Sequence, residues 1–174
     1  MEAFEEMLKG GHPNSLGRTV EVVDLVLAKP SKFEELFSCY FSEDEVVRLR
    51  VSNAMKRIAK ENKALLLPYL DRLLDEISLI DQASTQWTLS QLFLTYTKEL
   101  SEEQHKRALA IMKKNIAEHR DWIVLSQTME TLGKWAKKDE ELREWLIPYV
   151  ERHAQDERKS VAKKASKTLL SLQK

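Results

Sequence analysis

The 174-residue chain is poor in everything that breaks a polypeptide into strands and tight turns. It has four glycines and four prolines, so long stretches run without turn punctuation, and helices are favoured. It has one cysteine, Cys39. No intramolecular disulfide can form, which suits a reducing compartment. No run approaches the ~20 consecutive apolar residues that a membrane-crossing helix needs. The opening residues, MEAFEEMLKGG, are acidic and have no apolar signal core. Together these features predict a cytoplasmic protein. Charge of one sign is not in excess either, with 28 Lys plus Arg against 28 Asp plus Glu. A dedicated nucleic-acid binder shows a clear basic surplus. Zero net charge therefore counts against nucleic acid as the main partner, while leaving room for local basic patches.

Catalytic and metal-binding patterns are missing as well. His12, His105, His119 and His153 form no His-x-x-x-His pair, and Cys39 has no neighbouring ligand, so no metal site is expected. Cys39 lies in an apolar run, Leu36 to Phe41, the setting of a buried, inert thiol. There is no Gly-x-Ser-x-Gly elbow. The one glycine-rich segment, residues 10–17, lacks the preceding strand and the lysine of a phosphate-cradling loop. It reads as a turn with Asn14 or Ser15 capping the next helix. No cofactor is implied.

What the chain does have is helical periodicity. Three segments read as capping boxes: Ser31 with Glu34, Ser42 with Glu45, and Ser101 with Gln104. Apolar residues then recur at i, i+3, i+4, i+7. Val47, Val51, Ala54, Met55 and Ile58 form one stripe, and Leu66, Leu70, Leu73, Leu74 and Ile77 the next. Leu89, Leu92, Phe93 and Tyr96 follow, then Leu109, Met112 and Ile116, then Leu125, Met129 and Leu132. Leu142, Leu146, Tyr149 and Val150 precede the last stripe, Val161, Ala165, Leu169 and Leu170. The predicted helices are 2–9, 16–28, 31–41, 44–61, 63–78, 83–99, 102–118, 121–137, 139–154 and 157–172.

These helices echo one another. Segments beginning at Val51, Leu89, Leu125 and Ala162 align with spacings of 38, 36 and 37. The alignment stacks Ser52, Ser90 and Ser126, and beside them the amides Asn53, Gln91 and Gln127. Leu67-Pro68-Tyr69 recurs as Ile147-Pro148-Tyr149, 80 residues on. A fixed period of this size predicts stacked helix pairs, none able to bury its apolar face alone. On these residues the chain resembles the HEAT repeats. Phe33 to Leu36 leads into Asp44, then Val47-Arg48 and Ala54-Met55. Leu146-Ile147-Pro148 leads into Asp156, then Val161 and Ala165. The resemblance covers 31–172 well and 16–28 less well. Gln86 and Trp122 stand where Arg48 would align. It implies an all-α fold, a right-handed α-α superhelix or solenoid of about four and a half pairs. One domain would span 1–174, with cap helices in 1–30 and pairs in 31–61, 63–99, 102–137 and 139–172.

In such solenoids the second helix of each pair lines the concave side. That geometry places Asn53, Gln91 and Gln127 on one surface, with Trp87 and Trp122 near them and Arg48 and Arg50 adding charge. Side-chain amides can pair with a peptide backbone and indoles can pack its aliphatic stems, loosely as in armadillo proteins. The expected partner is a protein or peptide segment, and the expected function a non-catalytic interaction scaffold. Lys60, Lys98 and Lys134 also align, spaced 38 and 36. They could track phosphates or an acidic partner or offset helix dipoles at C-terminal ends. Gly133 and Ala59 align where small residues permit close helix approach. The alternative is nucleic-acid binding, or an alkyl-base DNA glycosylase of HEAT type with Asp121 and Trp122 in the reactive roles. Asp121, however, stands where a helix N-cap belongs.

Overall fold

A computed structural model describes residues 2–174. Among them every regular element is helical and there is no strand. The α-helices are α1 (Phe4–Met7), α2 (Thr19–Ala28), α3 (Phe33–Ser38), α4 (Glu45–Glu61), α5 (Leu70–Asp75), α6 (Ala83–Thr95), α7 (Glu102–Glu118), α8 (Trp122–Ala136), α9 (Glu140–Ala154) and α10 (Lys159–Leu172). Four 3-10 stretches intervene at Pro30–Lys32, Cys39–Phe41, Lys63–Tyr69 and Ile77–Leu79. No helix of the described residues is long and apolar enough to cross a membrane. Two compact units can be distinguished, Met1–Thr88 and Leu89–Lys174, with the boundary inside α6.

The long helices form where the stripes are strongest. Val47, Val51, Ala54, Met55 and Ile58 are all 0 % exposed along α4, against which α2 packs. In the second unit, α7 packs on α8, and α10 on both α8 and α9. Links of a few residues join these helices, the length that sets sequential helices side by side. The end of the last stripe departs from expectation. Leu170 is 65 % exposed, and Thr168 and Leu172 are buried instead. Val161, Ala165, Thr168 and Leu172 keep the i, i+4, i+7, i+11 face. In α7, Ala108 takes the inward place beside Met112, and Leu109 is half-buried.

Two predicted helices are broken up. Segment 31–41 is a 3-10 turn, the short α3 and a second 3-10 turn. Segment 63–78 divides in the same way around Pro68. A proline has no N–H to donate and its ring crowds the carbonyl four residues back, which favours the tighter 3-10 path over residues 63–69. Of the three capping boxes, one forms: Ser101 N donates to Gln104 Oε1 at 2.9 Å and Gln104 N to Ser101 Oγ at 3.1 Å. At α4 the cap is Asp44, whose carboxylate accepts from Val46 N at 2.8 Å, an anion at the positive end of the helix. Ser42 only braces Asp44 N, at 3.1 Å. Ser31 does not cap α3. Its presumed partner Glu34 accepts instead from Tyr69 Oη at 2.5 Å and Arg72 Nη1 at 3.0 Å.

Neither Asn14 nor Ser15 caps a helix, and α2 begins later than the periodicity suggested, at Thr19. The reason lies in the glycine segment. Gly10 and Gly17 take positive φ, 81° and 53°, and the loop folds back over the Arg50 side chain. Arg50 is 1 % exposed. Its Nη1 donates to Leu8 O at 2.9 Å and Gly10 O at 2.5 Å, Nη2 to His12 O at 3.1 Å and Nε to Ser15 O at 3.3 Å. A Cβ on Gly17 would stand 2.9 Å from the guanidinium carbon. Gly17 is therefore required twice, by its backbone conformation and by the cation beneath it.

Candidate functional site

In the first unit, α2 and α4 together border an open concavity of about 550 Å³. From α2 come Val20, Val23, Asp24 and Leu27, and from α4 come Asn53, Lys56, Arg57, Lys60 and Glu61. The first set falls at i, i+3, i+4, i+7 and the second at i, i+3, i+4, i+7, i+8, so each is one continuous helix face. The α2 wall is largely aliphatic, and Val20 remains 42 % exposed. The α4 wall is polar and cationic. Arg57 Nε donates to Asn53 Oδ1 at 2.6 Å, which holds the amide oxygen while leaving the Asn53 NH2 to donate elsewhere. Burial, aided by the neighbouring Arg57, pushes the Lys56 ammonium below its usual range. An anionic or carbonyl group set against that wall would be favoured. Two residues singled out on the sequence, Asn53 and Lys60, thus share one surface, and the aliphatic wall opposite them was not foreseen.

In the second unit the corresponding faces are on α8 and α10. Gln127, Glu130, Lys134 and Lys137 follow one another at i, i+3, i+7, i+10, so Gln127 and Lys134 share a helix face. Glu130 is held from two sides. Lys134 Nζ lies 2.9 Å from its carboxylate, and Lys164 of α10 pairs with the other oxygen. These two ammonium groups hold the Glu130 carboxyl down at about 2. Gly133 permits the close passage of α10, since a Cβ there would meet the Thr168 methyl at 3.1 Å. Lys60 and Lys134 also occupy the last turns of α4 and α8, where a cation offsets the helix dipole.

The remaining predicted residues are placed less favourably. Arg50 is not a surface cation: its guanidinium is spent on the carbonyl of Leu8 and three loop carbonyls and is withdrawn from solvent. Arg48 is half-buried and braced, with Nε donating to Gln82 Oε1 at 2.7 Å and Nη1 to Ser42 O at 2.7 Å. Trp87 is half-buried in the first unit. Trp122 is 49 % exposed at the first position of α8. Gln91 is half-buried, and its Oε1 is buried without a hydrogen-bond partner. Lys98 is exposed beyond the end of α6. Asp121 is the N-cap of α8, accepting from Ile123 N at 2.9 Å and Val124 N at 3.0 Å. That service accounts for its position.

Other polar groups are engaged in structure. His153 Nε2 pairs with Ile116 O at 2.8 Å. Tyr40 Oη and Ser52 Oγ pair at 2.9 Å in the core. Burial pushes the Cys39 thiol up to about 12, which leaves it almost wholly protonated at neutral pH. No three His, Cys, Asp or Glu side chains of the described residues converge as a metal site would require. No family model matches this chain, and no curated protein matches it in sequence.

Proposed function

We propose that the chain is a non-catalytic interaction scaffold of HEAT-like helical repeats, which holds a partner polypeptide on the exposed faces of its second helices. The observation that carries the proposal is the α2–α4 concavity. It sets a largely aliphatic wall, left open at Val20, opposite an amide and three cations, with Asp24 and Glu61 also lining it. An extended or helical segment with apolar residues on one side and carboxylates or carbonyls on the other would satisfy both walls. The repeat reading is supported by the spacing of tertiary hydrogen bonds within each unit. Arg48–Gln82 and Glu130–Lys164 are 34 residues apart, Glu34–Tyr69 35, Ile116–His153 37, and Ser90–Thr128 and Thr97–Trp135 38. Stacked pairs with a period of that length would bring such residues together.

Quantitative affinity purification with the parent and the Val20→Asp variant tests this. Val20 is exposed enough for the substitution to leave the fold intact, which a thermal melt checks. A protein retained by the parent should be lost with Val20→Asp and with Lys60→Glu. Equal recovery with parent and both variants would remove the concavity from the function.

A further inference from the structure

A second feature, independent of the α2–α4 surface, lies between α8 and α10. Two shallow concavities adjoin there, of about 180 and 370 Å³, and both are lined by Lys137 and Ser171. Lys134, Lys164 and Lys167 line the first, and Arg143 and Lys174 the second. Six cations thus border one trough whose lining holds a single carboxylate, Glu130, already shared by Lys134 and Lys164, while Arg143 pairs with Glu140 at 3.6 Å. Lys137, Lys167 and Lys174 have no carboxylate partner among the described residues. Such a cluster of unpaired like charges along a trough raises its positive potential and calls for an anion.

The zero net charge of the chain conceals this. Met1–Thr88 carries 11 Lys and Arg against 15 Asp and Glu, and Leu89–Lys174 carries 17 against 13, so the units have net charges of −4 and +4.

We propose that this trough is a docking site for an acidic peptide segment, a short run of Asp and Glu in extended conformation. Three observations select that occupant. Lys164 and Lys167 lie one turn apart on α10, with Ser171 one turn further on and Lys174 just past the helix end, so the cations follow one edge of the trough. The helical part of that edge, from Lys164 to Ser171, spans about 10 Å at 1.5 Å per residue, the length of about three extended residues. Five of the six cations are lysines, which recognise charge rather than the fixed geometry of one planar anion. No aromatic side chain lines either concavity, and stacking platforms are what a nucleic-acid strand would need.

Binding of fluorescein-labelled hexaglutamate, measured by anisotropy at low salt and at ~150 mM salt, tests the proposal, with labelled hexaserine and an oligothymidylate as comparisons. The parent should bind hexaglutamate, bind hexaserine not at all, and lose affinity as salt rises. The double variant Lys137→Glu/Lys167→Glu changes two exposed, unpaired residues and should lose at least about tenfold in affinity. Lys159→Glu/Lys163→Glu makes the same charge change on α10 outside the trough and should lose much less. The proposal is overturned if the parent fails to bind hexaglutamate, if both double variants lose equally, or if the oligothymidylate binds more tightly through the same lysines. It is equally overturned if sedimentation shows that the parent self-associates at low salt with Lys137 and Lys167 buried between copies.

Discussion

Arg50 offers the sharpest test of how this fold is held together. Its guanidinium donates to four carbonyls, three of them in residues 10–17, and no carboxylate accepts from it. A hydrogen bond to a charged group contributes about 1.5–3 kcal/mol. The four are not additive at that value. The loop carbonyls of Gly10, His12 and Ser15 belong to exposed residues and would regain water once released, whereas Leu8 is 0 % exposed. Arg50→Ala should therefore cost about 3 kcal/mol, one strong bond plus a cavity and the remnant of the others. Arg50→Lys should recover less than half of this, because one ammonium with three donors cannot span four acceptors in a plane. Since carbonyls do not titrate in the accessible range, the loss should be the same at pH 5 and pH 8. Urea denaturation at both pH values measures it, with limited proteolysis of residues 10–17 as the local readout. A loss under about 1 kcal/mol, or a loop no more cleavable than in the parent, would show that the carbonyl cage is incidental.

Other consequences are more direct. Ala54 is 0 % exposed in the middle of α4, so Ala54→Asp buries an unpaired carboxylate and should abolish the helical circular-dichroism melt. Glu130 is held below the usual carboxylate range by Lys164 and Lys134. Its contribution is present above the unfolded pKa of about 4.5 and is lost as pH falls toward about 2. Glu130→Gln should lower stability by about 1 kcal/mol at neutral pH after allowance for solvent screening, and that difference should vanish in melts near pH 2. Cys39, raised to about 12 by burial, should react with a disulfide reagent only as fast as the chain unfolds, and rapid labelling of native protein would contradict its placement. Trp87→Ala should shift the melting temperature by only a few degrees, because the ring is half-buried, and should weaken partner retention. A shift as large as that of a core deletion would make Trp87 a packing residue.

Much of the architecture was legible in the sequence because burial follows periodicity. The stripes of α4, α8 and α9 needed only a helical period to be drawn, and nearly every residue in them is buried. What failed was local competition between caps. Ser42 and Asp44 both stand ahead of α4, and the carboxylate displaced the hydroxyl. Ser31 lost its reciprocal partner because Glu34 found Tyr69 and Arg72, 35 and 38 residues away. A spacing rule sees four residues and not the next helix. Arg50 failed for the same reason. Its exposure depends on where residues 10–17 travel, and the three positive-φ glycines were the only sign that this segment could wrap a side chain. Asn53 and Lys60 share a wall because both lie on one face of α4, a relation that spacing does reveal. Val20, Val23 and Leu27 likewise share one face of α2 by their spacing, but that this face stands opposite Asn53 and Lys60 comes from packing between helices and is not written in either segment alone.

Net charge was the least informative number in the sequence, and the reason is one of length scale. At physiological ionic strength the screening length is about 8 Å, shorter than the ~10 Å from Lys164 to Ser171 along α10. A partner approaching the α8–α10 trough therefore responds chiefly to the charges that line it. Zero overall charge argues against indiscriminate adhesion to polyanions, which integrates the whole surface. It leaves untouched a short acidic segment, which samples one trough. Adding salt should weaken hexaglutamate binding steeply, while charge reversal at Lys159 and Lys163, outside the trough, should change it much less.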